Sequence, residues 1–324
     1  MTTLNIRCYH APKGIVNHME YPQHIISPSI FVIILNWKGW QDTIECLESL
    51  LRNDYKNFRV VVIDNHSEDE SYEKLLEWCR DRDRFSVFQT KANLGFAGGN
   101  NVGIKYALEN NAEYILLLNN DTVVTDNFLS SLIKTAKEED PGIMGCKILH
   151  HSDDRIWYLG GKMSWLRGGA YHPGKGRMDR KIAKNPFEVD FITGCMMLIK
   201  REVFGKIGLL DESYFLYNED ADYCLRASRA RIRMVVDPLT IIYHKERSTD
   251  GGWKPYHIYY LIRNKLIFMK RYSPNIFVLW IFYSIIGFVG LALSTKWIFQ
   301  NRSDLISAYL SAIRDFNSGI IGEI

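Results

Sequence analysis

The stretch from Glu113 to Asp126 constrains the fold most, because a short apolar run, Tyr114 to Leu118, stops abruptly at Asn119-Asn120-Asp121. The run is too short and too uniformly apolar for an amphipathic helix, which predicts a strand buried on both faces of a parallel sheet. The pattern recurs upstream. Apolar runs over residues 30–35, 58–63 and 85–89 alternate with helix-patterned stretches over 43–51 and 71–79. In the first of those stretches Ile44, Leu47, Leu50 and Leu51 share one face, and Glu45 and Glu48 take the other. This alternation predicts an α/β fold, a doubly wound, mostly parallel sheet flanked by helices. Ligands of such sheets meet the carboxyl ends of the strands. An Asp at that edge can hold a hard divalent cation against phosphate oxygens, although Asn and Asp also suit a plain turn.

A chain of 324 residues admits a full catalytic domain with a smaller appendage, and 47% hydrophobic with 24% charged residues is a globular composition. A formal net charge of +3 argues against broad nucleic-acid binding, which wants a basic domain with a clustered stripe. The six cysteines, Cys8, Cys46, Cys79, Cys146, Cys195 and Cys224, form no CxxC pair and no grouping with histidine, so reduced thiols in a cytoplasmic protein are expected. Residues 1–28 hold Pro12, Pro22 and Pro28 and are expected to be an extension beside the domain. Charged and polar residues break residues 1–23 too often for a signal peptide.

After the third strand, residues 93–101 read Asn-Leu-Gly-Phe-Ala-Gly-Gly-Asn-Asn and open a helix through Leu108. Glycines let backbone approach a ligand, and a helix N-terminus offers N–H groups to phosphate; the same residues would also serve a tight strand-to-helix turn. The first strand leads into Asn36-Trp37-Lys38-Gly39, without the GxGxxG of a dinucleotide fold. Residues 151–187 lose apolar periodicity and should be connecting structure over the sheet edge. Thr193-Gly194-Cys195 is a small-residue break that would let a sugar approach backbone. Asn218-Glu219-Asp220 leads into a helix over 221–227, with Asp222 and Arg226 spaced i, i+4. Three acids in four residues, Glu219, Asp220 and Asp222, exceed the needs of one cap. Extended segments over 235–237 and 240–243 follow, the second delivering His244.

Taken in order, Asp64, the loop at 93–101, Asn119-Asn120-Asp121, Thr193-Gly194-Cys195, the run from Asn218 to Arg226, and His244 resemble the inverting family 2 glycosyltransferases of GT-A fold. The look is closest to rhamnosyltransferase-like members of bacterial surface-polysaccharide pathways, and it covers about residues 29–270. The resemblance implies a catalytic domain over residues 29–250, with a nucleotide-sugar half over about 29–125 and an acceptor half over about 126–250. It also implies a UDP- or dTDP-sugar donor carrying rhamnose or another hexose, and a saccharide acceptor. Asp64 matches the position that accepts from the pyrimidine N3–H, and Asn36, Asn93, Gly98, Asn101, Asn119 and Asn120 fall on the nucleotide side. Asp121 matches the last carboxylate of a DxD motif and His244 a later ligand, together holding Mg²⁺ or Mn²⁺. Thr193, Gly194 and Cys195 fall where sugar and acceptor meet. Asp220 matches the catalytic base, with Glu219 its main rival. Asn119 departs from the motif, which has Asp there, and lowers the site's negative charge. The residue types suit the chemistry: a cation stabilises charge on a leaving diphosphate, and a carboxylate can take the acceptor's proton. Attack opposite the leaving group inverts the anomeric carbon without a covalent nucleophile.

Residues 251–324 read as a helical region. No charged residue occurs from Ser273 to Thr295, whereas Lys265, Lys270, Arg271, Lys296 and Arg302 flank that run and Trp280 and Trp297 lie near its ends. Such a segment suits membrane contact, spanning or interfacial, and so suggests a polyprenyl-linked acceptor at the inner face of the cell membrane. The other reading is a helix docked on the catalytic domain or in a homodimer. Amphipathic helices are predicted over 256–270 and 304–316. Two different functions compete with transfer. A sugar-nucleotide pyrophosphorylase would want a basic, glycine-rich loop after the first strand, where Asn36 to Trp40 supplies none. A catalytically silent membrane-associated scaffold would have no use for both Asp121 and Asp220.

Overall fold

The computed structural model describes residues 27–180, 183–246 and 253–323, so the extension expected over residues 1–28 lies, but for its last two residues, outside the described residues. The chain runs β1 (Ile30–Asn36), α1 (Trp40–Leu51), β2 (Phe58–Asp64), α2 (Ser71–Cys79), β3 (Phe85–Gln89), α3 (Gly95–Glu109), β4 (Tyr114–Leu118), β5 (Thr122–Val124) and α4 (Phe128–Glu139). It continues with β6 (Ile143–His150), β7 (Ile156–Tyr158), β8 (Lys162–Ser164), β9 (Gly169–Tyr171), β10 (Phe187–Glu188), β11 (Met196–Lys200), α5 (Arg201–Ile207), α6 (Glu219–Arg229) and β12 (Met234–His244). Helices α7 (Pro255–Tyr272), α8 (Ile276–Phe299) and α9 (Ser303–Asn317) close it.

One sheet carries both halves of the catalytic region. Its strands lie in the order β10-β12-β6-β11-β4-β1-β2-β3, with β5 added against β12 and β7 against β6. Strands β1 and β2 are parallel, as are β1 and β4, and their residues are buried almost without exception. Helices on both faces demand such continuous apolar runs. The β1–β2 register sets Asn36 beside Asp64 at the carboxyl edge. Strand β11 runs antiparallel between β4 and β6, pairing Met196 with Leu118. That pairing delivers Thr193-Gly194-Cys195 to the edge where β4 ends.

Several sequence expectations change in detail. Most of the 93–101 loop is already helix, because α3 begins at Gly95. The two extended segments after Ala230 are one strand, β12, irregular between Asp237 and Ile241. Residues 151–187 contain short strands rather than plain connection. The base-bearing helix begins at Glu219, two residues before the expected start.

Candidate active site

At the ends of β1 and β2, polar side chains hold one another. Asn36 donates from Nδ2 to Asp64 Oδ1 at 2.8 Å and accepts from Thr43 Oγ1 at 2.9 Å. Asp64 Oδ2 accepts from the Ser67 amide and from Gln89 Nε2, each at 3.0 Å. Asp64 is completely buried. The carboxylate thus accepts three bonds that fold the loop after β2, which leaves about one of its acceptor positions for the expected base N–H. Thr43 and Gln89, which the sequence reading passed over, complete this network.

The first residues of the glycine-rich segment are bonded into the fold. Leu94 N donates to Asn65 Oδ1 (3.0 Å), Gly95 N to Asn93 Oδ1 (2.9 Å) and Phe96 N to Phe215 O (2.6 Å). With those N–H groups partnered, the start of α3 has little left for an anion. Asn93 and the buried Asn65 are bonded to each other (2.8 Å). Asn101 donates to Leu210 O and Glu212 Oε1 and accepts from Leu210 N, so its amide serves the chain at 210–212. A Cβ at Gly98 would press on Leu94, with Glu212 just beyond. Asn101 thus seats the chain at 210–212, and Asn93 ties the start of α3 to Asn65.

The Asn119–Asp121 turn has a different character. Asn120 Nδ2 donates to Thr43 Oγ1 at 3.0 Å, which ties the turn to Asn36. Strand β5 pairs antiparallel with β12, with His244 opposite Thr122, so Asp121 meets a histidine from far along the chain. His244 Nε2 lies 3.0 Å from Asp121 Oδ1. Yet both ring nitrogens of the buried His244 lack an aligned hydrogen-bond partner. Two ligands of an octahedral cation, each about 2.1 Å from it and at right angles, stand about 3.0 Å apart. At this separation, and with neither ring nitrogen in an aligned hydrogen bond, these two groups fit a shared divalent cation that displaces the ring proton, the remaining positions falling to phosphate or water oxygens. Among the described residues no cluster of three or more His, Cys, Asp or Glu side chains offers a fuller set. Burial disfavours a charged His244, but Cys195 and the Asp121 carboxylate outweigh it and push the ring up to about 11. Trp157 closes one side, its ring edge-on to His244 at 4.5 Å.

Thr193-Gly194-Cys195 joins this turn to the acids of α6. Cys195 O accepts from Asn119 N at 2.9 Å, and Gly194 N donates to Asp220 Oδ2 at 3.1 Å. Asp220 Oδ1 accepts from Ala221 N at 2.8 Å. Its carboxyl is raised by burial and drawn back by those two N–H groups, and part of it stays open at the surface. Glu219 is buried, with Oε2 unpartnered. Burial and then the neighbouring Asp220 charge hold its carboxyl well above the usual range, hence neutral. Asp222 is fully buried; it takes Arg226 Nε at 2.7 Å and Tyr272 Oη at 2.6 Å, so the third acid is an anchor. Asn36, Asn120, Asp121, Cys195, His244 and Asp220 thus share one edge of the sheet.

Comparison with known proteins agrees with this architecture. The sequence pattern of the family described as "Glycosyl transferase family 2" matches residues 29–208. The chain is 27% identical over 253 residues to the low-salt glycan biosynthesis hexosyltransferase Agl10 of Haloferax volcanii, covering 76% of each chain. It is 24% identical over 308 residues to the dTDP-rhamnosyl transferase RfbF of Shigella flexneri, covering 92% of this chain and 98% of that one. Among solved structures, a mannosyltransferase from Pyrobaculum calidifontis in complex with GDP-Man and Mn²⁺ superposes with a TM-score of 0.55 at 12% identity. That match covers 89% of this chain and 87% of the other and shows a shared GT-A-like fold. With more than half its length matched and the strand order in place, the chain belongs to glycosyl transferase family 2.

Proposed function

We propose that this glycosyltransferase moves a hexose, rhamnose or another, from a dTDP- or UDP-sugar to a saccharide acceptor with inversion, in the synthesis of a surface polysaccharide. One observation carries the reading: a single backbone turn, 193–195, bonds at one end to the Asn119 amide and at the other to Asp220. A donor diphosphate beside Asp121 and His244 and an acceptor hydroxyl beside Asp220 would then lie within one sugar's width. The names of the two relatives, one a hexosyltransferase and one a dTDP-rhamnosyl transferase, support the hexose and the thymidine donor.

In this reading Asp121 and His244 hold Mg²⁺ or Mn²⁺, which when bound stabilises the charge developing on the leaving diphosphate. Asn119, whose side chain makes none of the hydrogen bonds described, belongs to the same turn and adds no charge. Asp220 accepts the hydroxyl proton as the acceptor attacks. Its two backbone N–H bonds fix its direction, and burial raises its basicity toward the working range. Glu219, held neutral, is the poorer base. The buried, well-partnered Asp64 and Asn36 hold the floor beneath the nucleotide.

Among the described residues one helix, α8, is long and apolar enough to cross a membrane, with a mean hydropathy of 2.5 and 17% of its most apolar window buried. That degree of exposure supports membrane contact over a core helix, and with it a polyprenyl-linked acceptor at the cytoplasmic face.

Nucleoside diphosphate release from a panel of UDP- and dTDP-hexoses, with Mn²⁺ and again with chelator, tests the proposal. Release with at least one donor, lost on chelation, is the expected result. Nucleoside triphosphate and sugar 1-phosphate, formed only when pyrophosphate is added, would point to the pyrophosphorylase chemistry instead, and no turnover of any donor would leave the scaffold reading.

A further inference from the structure

The residues just before the acids of α6 are held in costly backbone. Phe215 has φ 61° and ψ −59°, Tyr217 φ 70° and Asn218 φ 69°. Bulky side chains rarely occupy positive φ, and each such residue costs about 1–3 kcal/mol unless its surroundings impose it. Leu216 N bonds back to Tyr214 O at 2.7 Å, a one-residue turn centred on Phe215.

Two elements impose it. On the donor side Phe215 O takes the Phe96 amide, and Gly95, at φ 68°, lies so close that a Cβ there would fall 2.3 Å from Phe215 O. On the other side α7 presents Asn264, completely buried. Its single Nδ2 donates to Tyr214 O at 2.6 Å, Leu216 O at 2.7 Å and Tyr217 O at 2.9 Å. Asn264 Oδ1 is held in turn by Nε of the equally buried Arg263 at 3.2 Å. Arg263 continues to Gly322 O at 2.7 Å, and Tyr260 of the same helix stacks on Phe215 at 4.9 Å. Three carbonyl oxygens converging on one amide nitrogen are not what a helix needs for packing. A leucine would fill the volume, but Leu216 O and Tyr217 O would lose the donor that Asn264 gives them.

We infer that Asn264 is a positioning residue for transfer: it fixes the strained turn at 214–217 and thereby aims Asp220 at the acceptor. The inference rests on the reading of Asp220 as the base. It assigns to a helix outside the matched family region a part in catalysis that membrane attachment alone does not require. Asp220 is six residues from Asn264's first partner, and its direction is set by Gly194 N and Ala221 N. A turn that relaxes toward ordinary φ carries Ala221 and the start of α6 with it, so the Gly194 bond lengthens. A misplacement of about 1 Å can lower a rate by about 10²-fold.

The experiment compares wild type, Asn264→Ala and Asp220→Asn in full-length protein. The rate is release of nucleoside diphosphate from the best UDP- or dTDP-hexose of the panel with water as acceptor. Affinity for UDP or dTDP with Mn²⁺ is titrated separately. Asn264→Ala should lower the rate about 10- to 100-fold while nucleotide affinity stays within about twofold. Its acid limb should also move to higher pH. The Gly194 and Ala221 N–H groups hold the Asp220 carboxyl down, and losing one lets burial raise it; the titratable groups beside it, Glu219, Tyr158 and Cys224, are themselves pushed up by burial and by its charge. A residue that only stabilises the fold would not move that limb. If Asn264→Ala fails to fold, Asn264→Ser, which keeps one donor, replaces it with the same expectations at a smaller loss. A full rate with an unmoved limb overturns the inference, and so does a rate that falls only in step with nucleotide affinity. Asp220→Asn separates the two failures. An active Asp220→Asn overturns the base assignment and the positioning with it, whereas an inactive one beside an unaffected Asn264→Ala overturns the positioning alone.

Discussion

At the scale of residues, the adjacent acids Glu219 and Asp220 differ because their environments differ. Asp220 has two N–H donors and some open surface; Glu219 has burial and an orphaned oxygen. Glu219 therefore holds its proton in the fold over a pH range in which the unfolded chain has lost it. A folded state that binds more protons than the unfolded one loses stability as pH rises. Glu219→Gln removes that dependence: its melting temperature should exceed that of wild type at pH 8 and approach it near pH 4, and thermal melts across pH check this. Equal melting curves at both pH values would show that Glu219 is ionised. On the metal side, His244→Ala should weaken Mn²⁺-dependent nucleotide binding by tenfold or more, the usual order for losing one ligand of a small set. Calorimetry with and without chelator decides it, and unchanged affinity with Mn²⁺ would remove His244 from the site. His244 was reachable from sequence as the polar end of an apolar strand. Asn65, Thr43 and Gln89 were not, because each is an ordinary polar residue until the packing of α1 and the register of β1, β2 and β3 bring it to Asn36, to Asp64 or to the turn at 93–95.

At the scale of elements, short buried strands were legible almost to the residue; β2, β3 and β4 begin where their apolar runs begin. The glycine-rich segment left two readings open, a ligand loop and a tight strand-to-helix turn. Its composition is that of a ligand loop, and only the tertiary structure reveals that Gly95 makes room for the Phe215 carbonyl. The role of α7 was hidden likewise, since Arg263 and Asn264 interrupt an apolar face without naming their partners. Helix α8 was legible as a segment but not in its surroundings. Phe282 packs on Gly168 and Ile286 O takes the Tyr309 hydroxyl at 2.6 Å, while Phe288 is 74% and Leu291 68% exposed. If the open face meets lipid, Phe288→Asp with Leu291→Asp should reduce binding to phospholipid vesicles by on the order of a hundredfold or more, at about 3 kcal/mol per buried Asp, and leave the melting temperature unchanged. Vesicle flotation measures the first and a thermal melt the second. Undiminished flotation would mean that α8 serves another partner, a second copy of the chain included.

At the scale of the molecule, donor and acceptor halves are not separate bodies. Strand β4 of the first half pairs with β11 of the second, and β5 pairs with β12, so a shift in one half moves groups of the other. The C-terminal helices join this unit through Asn264 and through Tyr272, which bonds Asp222. The sequence alone suggests that residues 273–324 can be removed with hydrolysis of the free donor surviving, because every motif lies before Lys245. That cut spares Asn264 and Tyr272 of α7 but removes Gly322, whose carbonyl takes Arg263, a pairing that no spacing rule encodes. The central claim is a single displacement, with the donor diphosphate at Asp121 and His244 and the base at Asp220. Its most direct test is the anomeric configuration of the first-formed sugar in one turnover of an α-linked nucleotide donor, read by proton NMR before mutarotation. The account predicts the β configuration. An α product would mean a covalent or front-face route and would contradict the part assigned to Asp220.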